Sequence, residues 1–358
     1  MRRSVQRSAA AVCLIAVLHG AAVAGPREEE GPGHDRNGRP DASNPWLDRA
    51  PSKVLSVTAS DDTPDRRLPA VLTLGGIYAG FTTWAYFAWY KKEGHAFQTG
   101  GDGSWQLWSE DGWFGSTRYA GGADKMGHAW ATYALGRAGT ELLSQWGGFG
   151  RLTSALVGNG MSELLFFGVE LKDGFLYTFS YGDFAFNTLG AALGFAQSMW
   201  PRLDEAIDFR VQYFPSARYR EKFVGGDVNI AEDYSGQTYL LAFHLGSIDR
   251  LRTWKYGGWS RFVDVSLGFE SRGYKPDPPY VIDPEDPMRQ DYPKHQSAYI
   301  GLSFNAQGLF DALLAGRAEG WRKVTHGAFE VFSLPYTTLP VVEHHNVPAG
   351  FVPDEQEM

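Results

Sequence analysis

The hydrophobic and polar positions divide the chain into regions of different character. Residues 68–90 form a run of 23 residues without a charged side chain, bracketed by Arg66 and Arg67 on one side and by Lys91 and Lys92 on the other. This length fits a membrane-spanning helix, and the aromatic end of the run is typical of a membrane interface. A helix buried in a protein core has the same pattern. Both interpretations stay open.

Three further helices are predicted after this run. Their approximate ranges are 125–146, 152–171 and 183–200, and Pro201 ends the last one. Four apolar helices joined by short connections predict a small helical bundle that occupies residues 68–200.

Beyond Pro201 the pattern changes to strand-like alternation. The predicted strands cover residues 237–246, 261–270, 298–305 and 327–334. The fold class is therefore expected to be α+β, with the bundle followed by a small β-rich region over 201–342 and a tail over 343–358. A small outer-membrane barrel is the alternative, although four strands fall short of the roughly eight that a minimal barrel needs.

The N-terminus has the organisation of an export signal over residues 1–24. Three arginines within the first seven residues precede an apolar run at 9–17, and small residues at 22–24 fit a signal-peptidase site. We expect the mature protein to begin near Gly25 in the bacterial cell envelope, with periplasmic exposure. An uncleaved anchor is the alternative. Residues 25–67 are polar and rich in Pro and Gly, which predicts a flexible tether.

Composition narrows the function classes. With 33 basic and 41 acidic residues the formal charge is -8, and no long basic run exists, which argues against nucleic-acid binding. The single cysteine, Cys13, lies in the export signal, so the mature chain has no thiol for catalysis, metal binding or disulfides. The 12 Trp, 17 Tyr and 23 Phe are typical of proteins that contact lipid. Membrane lipid is the expected partner, and a protein of the envelope is a second one.

Candidate chemistry lies in polar residues placed within the apolar bundle. Asp124 and His128 are four residues apart at the start of the second helix, and Asp183 and Asn187 repeat this spacing in the fourth. Residues four apart share one face of a helix. Glu170 ends the third helix, where an acid is costly unless it is paired. In an up-down bundle, the starts of the second and fourth helices and the end of the third lie at one level. The five side chains are therefore expected to converge.

Two glycines continue the face of the fourth helix. Gly190 and Gly194 lie seven and eleven residues after Asp183, so they are expected to let a neighbouring helix approach closely. The cluster could hold a divalent metal, with His128, Asp124, Glu170 and Asp183 as candidate ligands. It could equally be a metal-free proton-sharing network in which Lys125 neutralises one acid. As an alternative, Asp124 and Asp183 could serve only as caps at the N-termini of their helices.

Two segments carry a resemblance to known families. GGADKMGHAWATYALGR and VELKDGFLYTFSYGDFAFNTLGAALG resemble the YfiM family of exported bacterial proteins of unknown function, and also the VanZ-like membrane proteins. The matching positions are Asp124, Lys125, His128, Glu170, Asp183, Asn187, Gly190 and Gly194. Asp173 stands where VanZ-like proteins usually have Gln, which puts any role of that amide in doubt. The resemblance implies a VanZ-like helical fold and an envelope location, but no reaction.

Three function classes therefore stay open. The first is a structural or binding module of the envelope, in which the polar residues form a satisfied buried network. The second is an enzyme that acts on a lipid-linked or envelope substrate, with His128 as base or metal ligand and with Glu170 and Asp183 as acids. The third is the small barrel.

Overall fold

The computed structural model describes nine stretches of the chain. These are residues 66–87, 96–97, 114–115, 120–176, 178–217, 219–220, 230–274, 294–315 and 319–346. The predicted export signal, most of the predicted tether and the last twelve residues of the predicted tail lie outside the described residues.

Four long helices occupy the positions that the apolar pattern predicts. They are α1 (Arg67–Ala85), α2 (Ala123–Glu141), α3 (Arg151–Leu176) and α4 (Tyr181–Met199). A π-helical turn, Leu142–Trp146, extends α2 by one turn. The hydroxyl of Ser180 accepts a hydrogen bond of 3.1 Å from the backbone N–H of Asp183 and thereby caps α4. This cap fixes Asp183 in the first turn of α4.

The helix α1 buries only one of its faces. Ala70, Leu74 and Tyr78 pack against Leu142 and Leu143, whereas other apolar side chains of α1 are exposed. Leu68 and Leu72 are 69% and 65% exposed, which a helix enclosed in a protein core would not show. Within the described part of the chain, one helix, α3, combines the length and apolar character that crossing a membrane would require. A third of its most apolar stretch is buried inside the fold, so a core helix would meet the same criterion.

The second half of the chain builds a six-stranded mixed sheet. The strands are β1 (Ile207–Tyr213), β2 (Gln237–His244), β3 (Val263–Arg272), β4 (His295–Phe304), β5 (Phe332–Ser333) and β6 (Thr338–Asn346). Their order is β5-β1-β2-β3-β4-β6, and all pairs are antiparallel except the parallel pair β5–β1. The described strands leave β5 and β6 as sheet edges, unlike the closed ladder of the barrel alternative.

Shorter helices interrupt and flank the sheet. They are α5 (Pro201–Asp204), α6 (Asp249–Thr253), α7 (Ala306–Leu314) and α8 (Glu319–Val331). The predicted strand over 327–334 is wrong over most of its length, because residues 327–331 belong to α8, although Phe332 and Ser333 form β5. Val324 and Val331 lie seven residues apart and are both buried, and this helical spacing begins before the short window that resembles a strand.

Two strands were absent from the sequence-based prediction. β1 alternates apolar and polar residues and could have been recognised, whereas β6 is almost entirely exposed and has no buried face to mark it. β6 continues to Asn346, past the expected start of the tail at residue 343. His344 and His345, which lie in the predicted tail, therefore belong to a strand.

The helices and the sheet share one core. Tyr133 of α2 lies against Phe209 of β1, with ring centroids 5.9 Å apart, and Tyr239 of β2 belongs to the same cluster. The opposite face of the sheet is lined by polar side chains, and Gln212 of β1 donates a hydrogen bond of 2.9 Å to Thr338 of β6. The α+β class is thus confirmed, whereas the VanZ-like description of the helices stays a prediction.

Candidate functional site

The five predicted site residues lie together between α2, α3 and α4. His128 is central: its Nδ1 atom lies 3.1 Å from Asn187 Oδ1 and 3.4 Å from Glu170 Oε1. Its Nε2 atom lies 3.8 Å from Asp124 Oδ1 and 3.9 Å from Asp183 Oδ1. We call these residues, together with Lys125, the helical cluster.

Lys125 joins the two aspartates of the helical cluster. Its Nζ atom lies 2.8 Å from Asp183 Oδ1 and 3.3 Å from Asp124 Oδ2. The side chain of Lys125 is 2% exposed, so this ammonium group is buried with its two counter-charges. A buried charge is tolerated when it is paired in this way. Gly182 makes room for the lysine, because a Cβ atom there would lie 2.8 Å from Lys125 Cε.

The two glycines of α4 allow the close helix contact that the sequence predicts. A Cβ atom at Gly190 would lie 2.0 Å from the backbone oxygen of Ala129 on α2. A Cβ atom at Gly194 would lie 2.4 Å from Oδ1 of Asn159 on α3. Both distances are shorter than any van der Waals contact. A side chain at Gly190 would meet backbone and push α2 and α4 apart, whereas one at Gly194 would displace the buried side chain of Asn159. The close approach brings Asn187 within reach of His128.

Two residues that sequence reasoning missed complete the helical cluster. Thr132 donates a hydrogen bond of 3.0 Å to Asn187 Oδ1, and it follows His128 by four residues on the same face of α2. This spacing indicates from the sequence alone that Thr132 lies beside His128. Tyr234, in the connection before β2, donates a hydrogen bond of 2.7 Å to Asp124 Oδ1. The sequence held no signal for this contact, which crosses 110 positions.

Electrostatics set the protonation states of the helical cluster. Burial alone would lower the pKa of His128, but the carboxylates of Asp183, Glu170 and Asp124 outweigh it and raise the pKa to about 9. Burial raises the pKa of Glu170 to about 8, and His128 opposes this rise only in part. The half-buried Asp173, one turn further along α3, adds to the rise. At neutral pH both His128 and Glu170 are thus held toward their protonated forms.

The geometry also resembles part of a metal site. Asp124, His128 and Asp183 each offer one ligand atom, and these atoms lie within 4.8 Å of one another. Tetrahedral Zn²⁺ with bonds of about 2.1 Å needs ligand atoms roughly 3.4 Å apart, so small movements would suffice. The ammonium of Lys125, however, already lies beside both aspartates and would compete with a metal cation.

A second buried polar group, which we call the sheet cluster, lies on the face of the sheet turned away from α2. His244 of β2 lies between two aspartates, with Nδ1 2.8 Å from Asp264 and Nε2 3.0 Å from Asp208. Arg210 binds both aspartates as well, at 2.8 Å for Asp264. Burial would lower the pKa of His244, but both aspartates raise it to about 9. Burial would raise the pKa of Asp208, but Arg210 and His244 lower it to about 2.

A third group joins the helices to the sheet. Arg137 of α2 binds Glu330 of α8 through its Nε atom and lies 2.6 Å from Asp204 of α5 through Nη2. These two acids balance the charge of Arg137, whose side chain is 4% exposed. Burial raises the pKa values of Glu141 and Asp204 to about 7, and Arg137 offsets this only in part.

Comparison with known proteins gives one match. Residues 110–198 match the model of a family described as "Predicted periplasmic lipoprotein (DUF2279)". The matched range contains the five predicted site residues and Lys125, and it covers about a quarter of the chain. Neither the curated proteins nor the solved structures gave a match to this chain. The family model supports an exported, envelope-associated protein of unknown function, and it does not support the relation to VanZ-like proteins.

Proposed function

We propose that this chain is a membrane-associated protein of the cell envelope in which the helical cluster is a charge-balanced network with a structural or binding role. The observation that carries the proposal is the position of Lys125. Its ammonium lies within 3.3 Å of the carboxylates of Asp124 and Asp183, where a metal ion would otherwise be needed to neutralise them. The network ties the start of α2 to the start of α4.

Replacement of Lys125 tests the network. Lys125→Met leaves two buried carboxylates without their cation, so the free energy of unfolding should fall by about 3–5 kcal/mol. The double variant Lys125→Met/Asp183→Asn removes one carboxylate as well and should recover part of this loss. Lys172→Met on α3 is the matched control and should stay near wild type. Urea unfolding of the purified protein measures all four.

Two results would overturn the network. One is a Lys125→Met protein as stable as wild type. The other is a purified wild-type protein that contains one equivalent of a divalent metal, because a bound metal would replace the role given to Lys125.

The apolar surface of α1 and α3 supports membrane association. The two helices lie side by side, with the rings of Phe81 and Phe166 6.1 Å apart. Each exposes large apolar side chains, including Leu72 at 65% and Leu164 at 66%. Exposed apolar patches of this kind mark surfaces that bind protein or lipid. Sedimentation with phosphatidylethanolamine–phosphatidylglycerol vesicles should capture the wild type. Leu72→Glu and Leu164→Glu should weaken capture, and Leu339→Glu on β6, which is 67% exposed, should not.

The mode of anchoring has its own test. The matching family is described as lipoproteins, and lipid attachment would require Cys13, yet the preceding residues Ala10, Ala11 and Val12 do not form a convincing lipoprotein signal. We propose cleavage near Gly25 and attachment through the apolar helices. If mass spectrometry shows that the mature protein begins at an acylated Cys13, attachment through a lipid replaces this part of the proposal.

An acid–base enzyme is the second candidate, and the exposure of His128 favours it. The His128 side chain is 19% exposed, whereas those of Asp124, Lys125, Glu170 and Asp183 are all 8% or less. With pKa values near 9 and 8, His128 and Glu170 are both proton donors at neutral pH. A folded His128→Gln protein of wild-type stability that fails to complement a deletion strain would favour this candidate.

A further inference from the structure

A long connection joins two neighbouring strands of the sheet. β2 and β3 are antiparallel partners, with His244 opposite Asp264, and strands in this arrangement are commonly joined by about two to five residues. Here the connection runs from Leu245 to Phe262 and contains α6 between two 3₁₀ turns. We call it the aromatic connection. Long surface connections between regular elements often carry binding functions.

The backbone of the aromatic connection is closely packed. A Cβ atom at Gly246 would lie 3.0 Å from the Cα atom of Arg261, so the two ends of the connection meet. A Cβ atom at Gly257 would lie 1.6 Å from the backbone oxygen of Leu251, and the backbone N–H of Gly257 donates a hydrogen bond of 2.8 Å to Trp254. Because the backbone is closed in this way, the connection presents its outer side chains in a defined arrangement.

The outer side of the aromatic connection exposes large amphipathic rings. Trp254, Tyr256 and Trp259 are 52%, 65% and 46% exposed, and the rings of Trp254 and Tyr256 lie 5.6 Å apart. Ile248 adds an exposed aliphatic side chain. Trp and Tyr are enriched at membrane interfaces, because each ring has an apolar body and a polar group that stays in water. The exposed side chains are therefore of the types that the boundary between lipid and water favours.

The aromatic connection is basic, although the chain as a whole is acidic. It contains four basic residues and one acid, whereas the whole chain has 33 basic and 41 acidic residues. Arg252 is paired with that acid, Asp249, at 2.8 Å. Arg250 and Lys255 are exposed and form no ion pair with a described residue, and the ammonium of Lys255 lies 5.4 Å from the centroid of the Tyr256 ring. Two cations beside exposed aromatic rings are thus available to an anionic partner.

We propose that the aromatic connection binds the anionic headgroups of phospholipids at the membrane surface. This rests on the membrane association proposed above, to which it adds a second contact and a class of lipid. The exposed apolar side chains of α1 and α3 do not distinguish anionic from neutral lipid. Arg250 and Lys255 do, because each basic residue close to an anionic membrane surface strengthens binding about fivefold. A protein partner fits this surface less well, since Lys is depleted from protein interfaces.

Sedimentation of the purified full chain with two kinds of vesicle tests the proposal. One kind is phosphatidylcholine, which is neutral, and the other is phosphatidylcholine mixed with anionic phosphatidylglycerol. At low salt the wild type should bind the anionic vesicles at least tenfold more tightly, and concentrated NaCl should remove most of this preference. Lys255→Gln should weaken binding to the anionic vesicles about fivefold, and Arg250→Gln/Lys255→Gln about twentyfold. Binding to the neutral vesicles should not change in either variant.

Arg220→Gln is the matched control. Arg220 is exposed and lies 5.7 Å from the centroid of the Phe214 ring, which resembles the placement of Lys255 over Tyr256. It follows β1, however, and therefore lies at the opposite end of the sheet from the aromatic connection. Arg220→Gln should bind both kinds of vesicle as the wild type does. Tyr256→Ala should weaken binding to both kinds, because an aromatic ring enters the interface whatever the charge of the lipid.

Two results would overturn the proposal. One is equal binding of the wild type to the anionic and the neutral vesicles. The other is an unchanged preference for the anionic vesicles in Arg250→Gln/Lys255→Gln, which would assign the aromatic connection to a protein partner instead. Capture by the neutral vesicles reports separately on α1 and α3. Loss of that capture with a retained, Lys255-dependent preference for anionic vesicles would contradict the role proposed for α1 and α3 and would support the role of the aromatic connection.

Discussion

The helical cluster and the sheet cluster contain the same kinds of groups but hold them differently. In the sheet cluster both nitrogens of His244 lie within 3.0 Å of a carboxylate oxygen. In the helical cluster the carboxylates lie 3.4–3.9 Å from His128, and only the amide oxygen of Asn187 is closer. The Asn187 Nδ2 atom is buried and has no hydrogen-bond partner among the described residues.

This difference separates a locked network from a looser one. In the sheet cluster, two aspartates that also bind Arg210 hold the imidazole from both sides, so a change of its partner would break ion pairs. In the helical cluster the imidazole is partly exposed and keeps room for a change of partner or protonation state. Buried networks that are fully satisfied favour structural rigidity, whereas partly satisfied ones are candidates for function.

The largest effect on the free energy of unfolding is expected when the sheet cluster is broken. Arg210→Met leaves Asp208 and Asp264 buried with His244 as their only cation, so the free energy of unfolding should fall by about 3–5 kcal/mol. Urea denaturation followed by tryptophan fluorescence measures it. Arg250→Met, at a surface arginine of α6, is the control. A stable Arg210→Met protein would mean that the sheet cluster does not lock the sheet.

A smaller effect is expected where the helices approach most closely. Gly190→Ala forces α4 away from the backbone of Ala129 and should cost about 1–3 kcal/mol, with a lower pKa of His128 as its partners withdraw. Gly168→Ala on α3 is the matched control, because nothing lies within 4 Å of its added Cβ atom. The control should be neutral or more stable by up to about 1 kcal/mol, since Ala favours helix over Gly. Equal stability of the two variants would contradict the close contact.

The stability of the protein should fall as the pH rises through the raised pKa values of both clusters, because the pKa of His244 in the sheet cluster is also raised to about 9. Burial raises the pKa of Glu170 to about 8. The contribution of Glu170 to the free energy of unfolding is therefore complete below its unfolded pKa near 4.5, and it is lost as the pH rises through 8. His128 changes the stability in the same direction. Its contribution is complete below pH 6.5 and is lost as the pH rises through about 9. Thermal unfolding should therefore show a lower melting temperature at pH 9 than at pH 6.5.

Glu170→Gln sharpens this test, because the amide cannot ionise. The decline between pH 5 and pH 8 should become shallower by roughly 1–3 kcal/mol. Glu205→Gln, at an exposed glutamate after α5, is the control, and it should keep a decline close to that of the wild type. A Glu170→Gln profile that follows the wild type would show that Glu170 is already ionised at neutral pH.

The sequence predicts the helical cluster because its signals are local. Asp124 with His128, and Asp183 with Asn187, share helix faces by their spacing alone, and the glycines after Asn187 indicate a close neighbour. The same reasoning extends to Thr132, one turn beyond His128 on the same face of α2. Tyr234 lies beyond such reasoning, since its contact depends on how the connection before β2 folds over α2.

The sheet cluster could not be predicted in the same way. Arg210 and Asp264 are 54 residues apart and meet only through the register of β1, β2 and β3. In β1, the polar residues Asp208, Arg210 and Gln212 alternate with apolar ones, a pattern that normally indicates a face exposed to water. Here that face is buried, because α7 and α8 cover it and Gln307 of α7 binds Arg210. Only the three-dimensional arrangement shows this.

The pKa of His128 tests the central claim most directly. Histidine-selective ¹³C labelling of the purified protein, with assignment by the loss of one signal in His128→Gln, allows a titration of this ring by NMR. The neighbouring acids Asp183, Glu170 and Asp124 predict a pKa of about 9 for His128, and Asp183→Asn should lower it. A pKa of 6.5 or below in the wild type would contradict the account, because His128 would then be neutral and the helical cluster would not be the charge-balanced network proposed here.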